Sequence, residues 1–172
     1  MNFKTSIFSI CSLFIVTIFM LFYANFTVFA SKPIASVVNE TANIELTSDE
    51  RQVFNLVNAV RREAGLPPYT IDATLVELAR RKAEDMVAHG YFAHHSPTYG
   101  SPFEMMRNFG IVYTSAGENL AENHTILGAH DALMFSSGHR ANILNQRFER
   151  IGIGIVDGPC ELRTIVQMFI QQ

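Results

Sequence analysis

The order of two hydrophobic patterns constrains the fold of this chain more than any other feature of its sequence. Between residues 48 and 89, apolar side chains recur at the three- and four-residue spacing of amphipathic helices. The C-terminal part instead carries two β-rich runs, 151–156 and 162–169, separated by the turn-forming sequence Asp157-Gly158-Pro159. Helices followed by a hairpin, without alternating strand–helix units, predict one α+β domain with an antiparallel sheet.

Capping signals set the bounds of the predicted helices. Thr47, followed by acids in the first turn, is the predicted N-cap of the first helix, which Gly65 ends. Asp72 is the predicted N-cap of a second helix that ends near Gly90. Three shorter helices are predicted over 102–109, 126–135 and 139–144.

The charged residues of the two long helices are expected at the surface. Two short basic clusters, 61–62 and 80–82, are flanked by acidic residues, a pattern typical of solvated helix faces. Asp85 is expected on the same exposed side of the second helix.

The N-terminus has the composition of an export signal. Lys4 is the only charge before the uncharged and mostly apolar segment 5–31, which is long enough to span a bilayer. Val28-Phe29-Ala30 ends this segment with the small-x-small pattern that suits signal peptidase. Both readings of the segment, cleaved or retained, place the following residues outside the cytoplasm.

Three parts of the chain follow from these patterns. Residues 1–30 are predicted to be a signal peptide or, if uncleaved, an N-terminal membrane anchor, 31–47 a linker, and 48–172 the folded domain. The protein is therefore expected to be extracellular, or associated with the cell surface if the leader is retained.

The composition of the chain after cleavage indicates which partners to expect and what stabilises the domain. Loss of Lys4 with the leader leaves 12 basic and 16 acidic residues, a formal net charge of −4, which gives no reason to expect nucleic acid as a partner. Cys160 would be the only cysteine, so an internal disulfide is excluded and the core alone must stabilise the domain.

Three short segments, 92–97, 116–121 and 136–144, carry the candidate functional residues. Each places an imidazole or a carboxylate (His94, Glu118, His139) beside small or turn-forming residues. Two histidines and one glutamate can form a divalent-metal site or perform acid–base chemistry, although each residue alone is more often structural or solvated. The sequence contains neither His-Glu-x-x-His nor Gly-x-Ser-x-Gly.

From about residue 51 to 169, the chain resembles the bacterial, disulfide-free branch of the CAP superfamily, which comprises SCP-like extracellular proteins. The superfamily is named after cysteine-rich secretory proteins, antigen 5 and pathogenesis-related 1 proteins. The resemblance implies a three-layer α-β-α sandwich with a central antiparallel sheet. It rests on Phe92-x-His94-x-Ser96-Pro97, Gly100-x-Pro102-Phe103, Gly117-Glu118-Asn119-Leu120-Ala121, Gly138-His139-Arg140-Ala141-Asn142-Ile143-Leu144, Ile151-Gly152-Ile153-Gly154 and Gln167-x-Phe169.

The resemblance also implies a shared cleft. His94, Glu118 and His139 are expected to converge there, and in some relatives this cleft binds Zn²⁺ or another divalent cation. Ser96 and Asn142 are expected at the same cleft, Asn142 either bonding within it or capping its own helix turn. Because adjacent side chains of an extended segment face opposite ways, at most one of His94 and His95 should enter a shared site. The resemblance places His95 outside the His/Glu set, since relatives usually carry a small polar residue there, and a supporting position beside the set stays open.

Two departures from the family pattern weaken a catalytic interpretation. Ser136 stands where some relatives carry a second glutamate, and Leu133 replaces the tryptophan of that segment. Ser137 occupies the position of a proline in the bacterial pattern. Without a second carboxylate, a general base distinct from the metal ligands is difficult to assign.

The sequence therefore favours binding over catalysis. We expect a secreted or surface-tethered CAP-domain protein that binds a cell-envelope component, a lipid or a protein ligand at the His/Glu cleft, with a membrane contact only through an uncleaved N-terminal segment. The first alternative is a metal-assisted, peptidase-like hydrolase, in which Glu118 would be either the third ligand or the base. The second is a passive structural component of a surface layer.

Overall fold

The computed structural model describes residues 44–172. The predicted leader, residues 1–30, lies outside this part of the chain, as does most of the predicted linker, 31–47. Every helix within the described part is too short or too polar to cross a membrane.

Within residues 44–172, five α-helices and four β-strands form the domain. The helices are α1 (Ser48–Glu63), α2 (Ala73–His89), α3 (Pro102–Asn108), α4 (Ile126–Phe135) and α5 (Ser137–Ile143). The strands are β1 (Thr70–Ile71), β2 (Ser115–Asn123), β3 (Arg150–Asp157) and β4 (Arg163–Gln171), with a 3₁₀ turn at Pro159–Glu161 between the last two.

The strands form one sheet in the order β1-β3-β4-β2. The central strand β4 pairs antiparallel with both β3 and β2, and Phe169 lies opposite Ile151 on one side and Gly117 on the other. The predicted C-terminal hairpin and antiparallel sheet are therefore confirmed for the three long strands. The exception is β1, which pairs parallel with β3 and whose two residues are too few to show a period.

The helices cover both faces of the sheet, which confirms the predicted three-layer sandwich. One layer contains α1, α4 and α5, and its core includes Val57, Leu133 and Ile143 packed on β3 and β4. The other contains α2 and α3, whose Leu78, Met86 and Met106 pack on the opposite face.

Two glycines of β3 allow α2 to lie directly on the sheet. A Cβ atom at Gly152 would stand 2.1 Å from the carbonyl carbon of Leu75, and one at Gly154 would stand 2.2 Å from that of Ala79. No side chain fits at such distances, so the glycines of the Ile151-Gly152-Ile153-Gly154 pattern are required for α2 to pack this close to β3. This close packing fixes the depth of α2 and hence of the residues that α2 carries.

The predicted helix caps agree closely with the structure. Thr47 and Glu50 form a capping box at the start of α1, and the side chain of Asp72 accepts a hydrogen bond from the amide of Leu75 in α2. The largest difference is at the start of α5, which begins at Ser137, two residues before the predicted start, so that His139 is its third residue. There is no side-chain cap to mark that start. The helices α3 and α5 also each end one residue earlier than predicted.

Arg61 is a correction to the expected solvated helix face. Only 1% of it is exposed, because its guanidinium lies 3.6 Å above the Tyr69 ring and donates to three carbonyl groups. These belong to Pro67, Ile143 and Asn145, at 2.8–2.9 Å. Arg61 therefore ties α1 to the C-terminal end of α5, where carbonyl groups lack helical partners.

Candidate functional site

His94 and Glu118 form the centre of the candidate site. The segment between α2 and α3 carries His94, and β2 carries Glu118, whose carboxylate Oε1 lies 2.7 Å from Nδ1 of His94. This is the geometry of an imidazole N–H donating to a carboxylate, and it leaves Nε2 as the ring nitrogen outside the bond. Only 2% of the Glu118 side chain is exposed, whereas 56% of the His94 side chain is.

The pairing follows from strand geometry. Side chains alternate between the two faces of a strand, and the neighbours of Glu118 at two-residue spacing, Ala116 and Leu120, pack in the α2/α3 layer. Glu118 therefore faces the layer from which the His94 segment emerges. Asn119 faces the other layer, where its amide donates to the carbonyl of His139 at 3.1 Å.

The environment shifts the pKa values of the three predicted residues in different directions. Burial raises the pKa of Glu118, against the opposing effects of the hydrogen bond to His94 and the charge of Lys82. The hydrogen bond to Glu118 raises the pKa of His94. Burial, assisted by the charge of His94, lowers the pKa of His139. The neutral form is thus favoured at His139 and the imidazolium at His94.

An open pocket of about 470 Å³ lies against this pair. Its lining combines hydrogen-bonding side chains with the exposed ring of Phe103, 42% accessible. The lining residues are His94, His95, Ser101, Pro102, Phe103, Ala116, Gly117, Glu118 and Asn142. Among them, Glu118 is the one carboxylate, and none is a lysine or an arginine.

A network of amides holds α5 beside the pocket. The side-chain amide of Asn142 donates to the Glu118 carbonyl at 3.3 Å and to Oδ1 of Asn119 at 2.9 Å. Asn119 donates in turn to Gln167 on β4 at 3.1 Å. Asn142 therefore both lines the pocket and fixes α5 to β2, rather than capping its own helix turn.

His139 occupies a different position from the other two predicted residues. It is half-buried in α5, close enough to His94 to sense its charge, but it does not line the pocket. Residues 44–172 contain no group of three or more His, Cys, Asp or Glu side chains placed to hold a metal ion. His94 and Glu118 are bonded to each other and do not, with His139, fit a preformed three-ligand site. Divalent-metal binding stays a prediction.

Ser96 and His95 lie at different depths around the pocket. Ser96, expected at the cleft, is 1% exposed and lies behind it: its hydroxyl donates to Asp85 and accepts from the amides of Thr98 and Tyr99. His95, expected outside the His/Glu set, is exposed and lines the pocket.

Lys82 and Asp85 are the residues near the site that sequence reasoning missed. Instead of lying on solvated faces, they are 1% and 6% exposed, and both face the segment that carries His94. A signal for Lys82 was present, because it continues the apolar stripe of α2 at helical spacing from Leu75 and Leu78. Its charge alone assigned it to the surface.

Comparisons with known proteins agree with this architecture. The model of the cysteine-rich secretory protein family, CAP, matches residues 54–169. YkwD, an uncharacterized protein of Bacillus subtilis, is 48% identical over 118 residues, which make up 68% of this chain and 46% of that protein. The membrane protein YlbC of the same organism is 33% identical over 110 residues, 63% of this chain and 32% of that protein.

Solved structures show the same fold. An extracellular protein of Bacillus anthracis that contains an SCP domain superposes with a TM-score of 0.67 at 29% identity, covering 76% of this chain and 45% of that one. An outer surface protein of Borrelia burgdorferi reaches 0.69 at 18% identity, covering 75% of this chain and 96% of that one. The chain spans less than half the length of the two curated relatives. On the match of the family model and the fold, the chain belongs to the cysteine-rich secretory protein (CAP) family.

Proposed function

We propose that this chain is an exported CAP-domain protein that binds a cell-envelope component at the pocket formed around His94 and Glu118. The apolar segment 5–31 supports export. Two similar structures support it as well, one described as an extracellular protein of Bacillus anthracis and one as a cysteine-rich secretory protein of Staphylococcus aureus.

One observation carries the binding proposal. The second carboxylate oxygen of Glu118, Oε2, is buried and has no hydrogen-bond partner among residues 44–172. An unpaired buried carboxylate oxygen is costly, so a fold that keeps one beside an open pocket gains from a partner that arrives with a ligand. The other oxygen, Oε1, already bonds His94, so a hydrogen-bond donor on the ligand would give Oε2 its partner.

The lining indicates the chemistry of the ligand. Glu118 can accept a hydrogen bond from a hydroxyl or an ammonium group, and Asn142 and His95 can bond further polar groups. Phe103 offers an apolar face for the rest of the ligand. Because no lysine or arginine lines the pocket, a neutral or cationic ligand rich in hydroxyl or amino groups fits better than an anionic headgroup.

Co-sedimentation of the full chain separates the envelope sources. The probes are purified bacterial cell walls, vesicles of a zwitterionic lipid and vesicles of an anionic lipid. We expect the cell walls to retain the protein. His94→Gln and Glu118→Gln should each weaken retention about tenfold, the effect of losing a hydrogen bond to a charged group. His124→Gln and Glu84→Gln, which change exposed residues outside the pocket lining, are the matched controls.

Failure of these expectations has a definite meaning. Retention by vesicles alone would replace the cell-wall ligand with a lipid. Equal retention of all four variants would move binding away from the pocket, and no retention by any probe would favour the passive structural component.

A hydrolase is the second candidate, and the His94–Glu118 bond favours it. An imidazole oriented by a carboxylate is the arrangement of a general base, with Glu118 selecting the tautomer that leaves Nε2 free to accept a proton. The pocket, however, is lined by one carboxylate, and Ser136 occupies the position of the second. Release of soluble fragments from purified cell walls by the wild type, abolished in His94→Gln, would establish hydrolysis. Retention without release would exclude it for this substrate.

Divalent-metal binding is tested separately. Protein purified without a histidine tag is analysed for metal at pH 7.5 and titrated with Zn²⁺. If His94 and His139 act together as ligands, His94→Gln and His139→Gln should each abolish stoichiometric binding, whereas His124→Gln should not. Absence of binding by the wild type would contradict the metal prediction and leave the binding proposal intact.

A further inference from the structure

Helix α2 presents a buried carboxylate to the segment that carries His94. Asp85 is 6% exposed and accepts hydrogen bonds from three hydroxyl groups of residues 91–98. Ser96 and Thr98 donate to it at 2.6 Å each, and the phenol of Tyr91 donates to the same oxygen as Ser96. Burial acts to raise the pKa of Asp85, but these hydrogen bonds together outweigh it, so the pKa lies below its ordinary value.

One helical turn earlier, α2 presents a buried ammonium group to the same segment. Lys82 is 1% exposed, and its Nζ donates to the carbonyl of Ala93 at 2.8 Å and to the phenolic oxygen of Tyr91 at 3.2 Å. Burial lowers the pKa of Lys82, and the negative charges of Glu118 and Asp85 oppose that effect. The ammonium group is thus close to two carboxylates, one of which belongs to the pocket.

Together the two side chains attach the segment to α2 at four residues: Tyr91, Ala93, Ser96 and Thr98. The segment between α2 and α3 contains turns and one isolated bridge but no helix or strand, so these bonds replace regular secondary structure. The carbonyl that accepts from Lys82 belongs to the residue directly before His94. Lys82 therefore fixes the position of the backbone that carries the His94 imidazole.

We propose that Lys82 and Asp85 are positioning residues of the pocket: they hold residues 91–98 on α2 so that His94 meets Glu118, and Lys82 adds a positive charge behind that carboxylate. The inference rests on the proposed function only in taking this pocket as the ligand site. The geometry of the pair can be measured without any ligand.

The test is the tautomer of His94, read by NMR of ¹⁵N-labelled histidine in the full chain at one fixed alkaline pH with chelator present. In the wild type, the bond to Glu118 requires the proton on Nδ1. Lys82→Met keeps an unbranched side chain one atom shorter but removes the charge and the donors, and we expect it to shift most of the His94 population to the Nε2–H tautomer. Lys82→Arg, which restores a cation with donors, should recover the Nδ1–H form at least in part.

Matched controls separate positioning from general destabilisation. Arg81→Met changes the exposed neighbour of Lys82 and should leave the tautomer unchanged. Tyr91→Phe removes a single hydroxyl that accepts from Lys82 and donates to Asp85, and should shift the tautomer in the same direction as Lys82→Met by a smaller amount. It also serves as the decisive variant if Lys82→Met does not fold.

The outcomes are distinct from those of the binding assay. An unchanged Nδ1–H tautomer in folded Lys82→Met, or in Tyr91→Phe if the former does not fold, would overturn the positioning role, even if stability falls. A wild type that binds neither cell walls nor vesicles would instead overturn the proposed function and leave the tautomer result standing.

Discussion

Arg61 and Lys82 are buried cations on opposite faces of the sheet, and their surroundings differ. Arg61 donates to three carbonyl groups and stacks on Tyr69, with no carboxylate among these partners. Lys82 donates to a carbonyl and a phenol and stands near two carboxylates, one of which keeps an oxygen without a partner among residues 44–172. The side chain of Arg61 bonds only within the fold, whereas Lys82 lies beside the pocket that we propose as the ligand site. The comparison therefore sets a structural cation against one to which we assign a positioning role.

The largest expected effect is a loss of stability when Arg61 is replaced. Arg61→Ala removes a side chain that is 1% exposed and leaves the carbonyl groups of Pro67, Ile143 and Asn145 without this donor. We expect a loss of about 3 kcal/mol in the free energy of unfolding, measured by urea titration. Arg62→Ala, at the exposed neighbouring position, should stay within about 0.5 kcal/mol of the wild type. A small effect at Arg61 would mean that the buried cation is not a structural anchor.

A smaller loss is expected where the two regions meet. Asn119 links β2 to α5 through the His139 carbonyl and accepts from Asn142, so it aligns the wall of the pocket. Asn119→Ala should cost about 2 kcal/mol of stability and also weaken cell-wall retention, because α5 loses its fixed position. Asn55→Ala, at an exposed site on α1, is the control for both measurements. Loss of stability with full retention would show that the amide network does not shape the pocket.

The helix bounds and the C-terminal hairpin could be predicted because their signals are local, whereas the three-layer sandwich was implied by the family resemblance. Thr47 and Asp72 are capping side chains, and the residues between Arg150 and Gln171 show a two-strand pattern with a turn. The parallel strand β1 could not be predicted, since two residues have no period. The burial of Lys82 depends on partners from a loop and a distant strand, so its charge was misleading.

Less of the site than of the fold could be predicted from the sequence. His94 and Glu118 lie 24 residues apart in the sequence and on separate elements. Only the family resemblance predicted that they lie close together. Ser96 was expected at the cleft, but its hydroxyl donates to the buried Asp85, and no local pattern shows whether a loop hydroxyl faces a cleft or an internal carboxylate.

The third prediction, with a smaller expected effect, concerns the pKa of His94. The hydrogen bond to Glu118 raises the pKa of His94 above its ordinary value of 6.5. The stabilisation that this bond provides is therefore fully present below pH 6.5 and is lost as pH rises through the raised pKa. In Glu118→Gln the pKa of His94 should fall, as followed by NMR titration in the presence of chelator, whereas Glu84→Gln should leave it unchanged. An equal or higher pKa in Glu118→Gln would contradict the pairing.

The smallest effect concerns a third buried group. His130 in α4 is 6% exposed, its Nδ1 has no hydrogen-bond partner among residues 44–172, and burial lowers its pKa from the ordinary 6.5. The unfolded chain therefore binds its proton first, so this residue reduces stability as pH falls through 6.5. Between pH 8 and 5.5, the urea midpoint should fall more in the wild type than in His130→Leu. The exposed His124→Gln should follow the wild type, and parallel curves for all three would refute a buried neutral imidazole.

The most direct test of the central claim measures stability and binding on one variant, Glu118→Gln. Burial raises the pKa of Glu118, so its ionised form is unfavourable in the fold above its ordinary pKa of 4.5, and the neutral amide avoids that cost. At pH 7.5 we predict an unfolding free energy equal to or above that of the wild type, together with retention on cell walls about tenfold weaker. A variant that is less stable by more than about 1 kcal/mol but binds cell walls as well as the wild type would contradict the account.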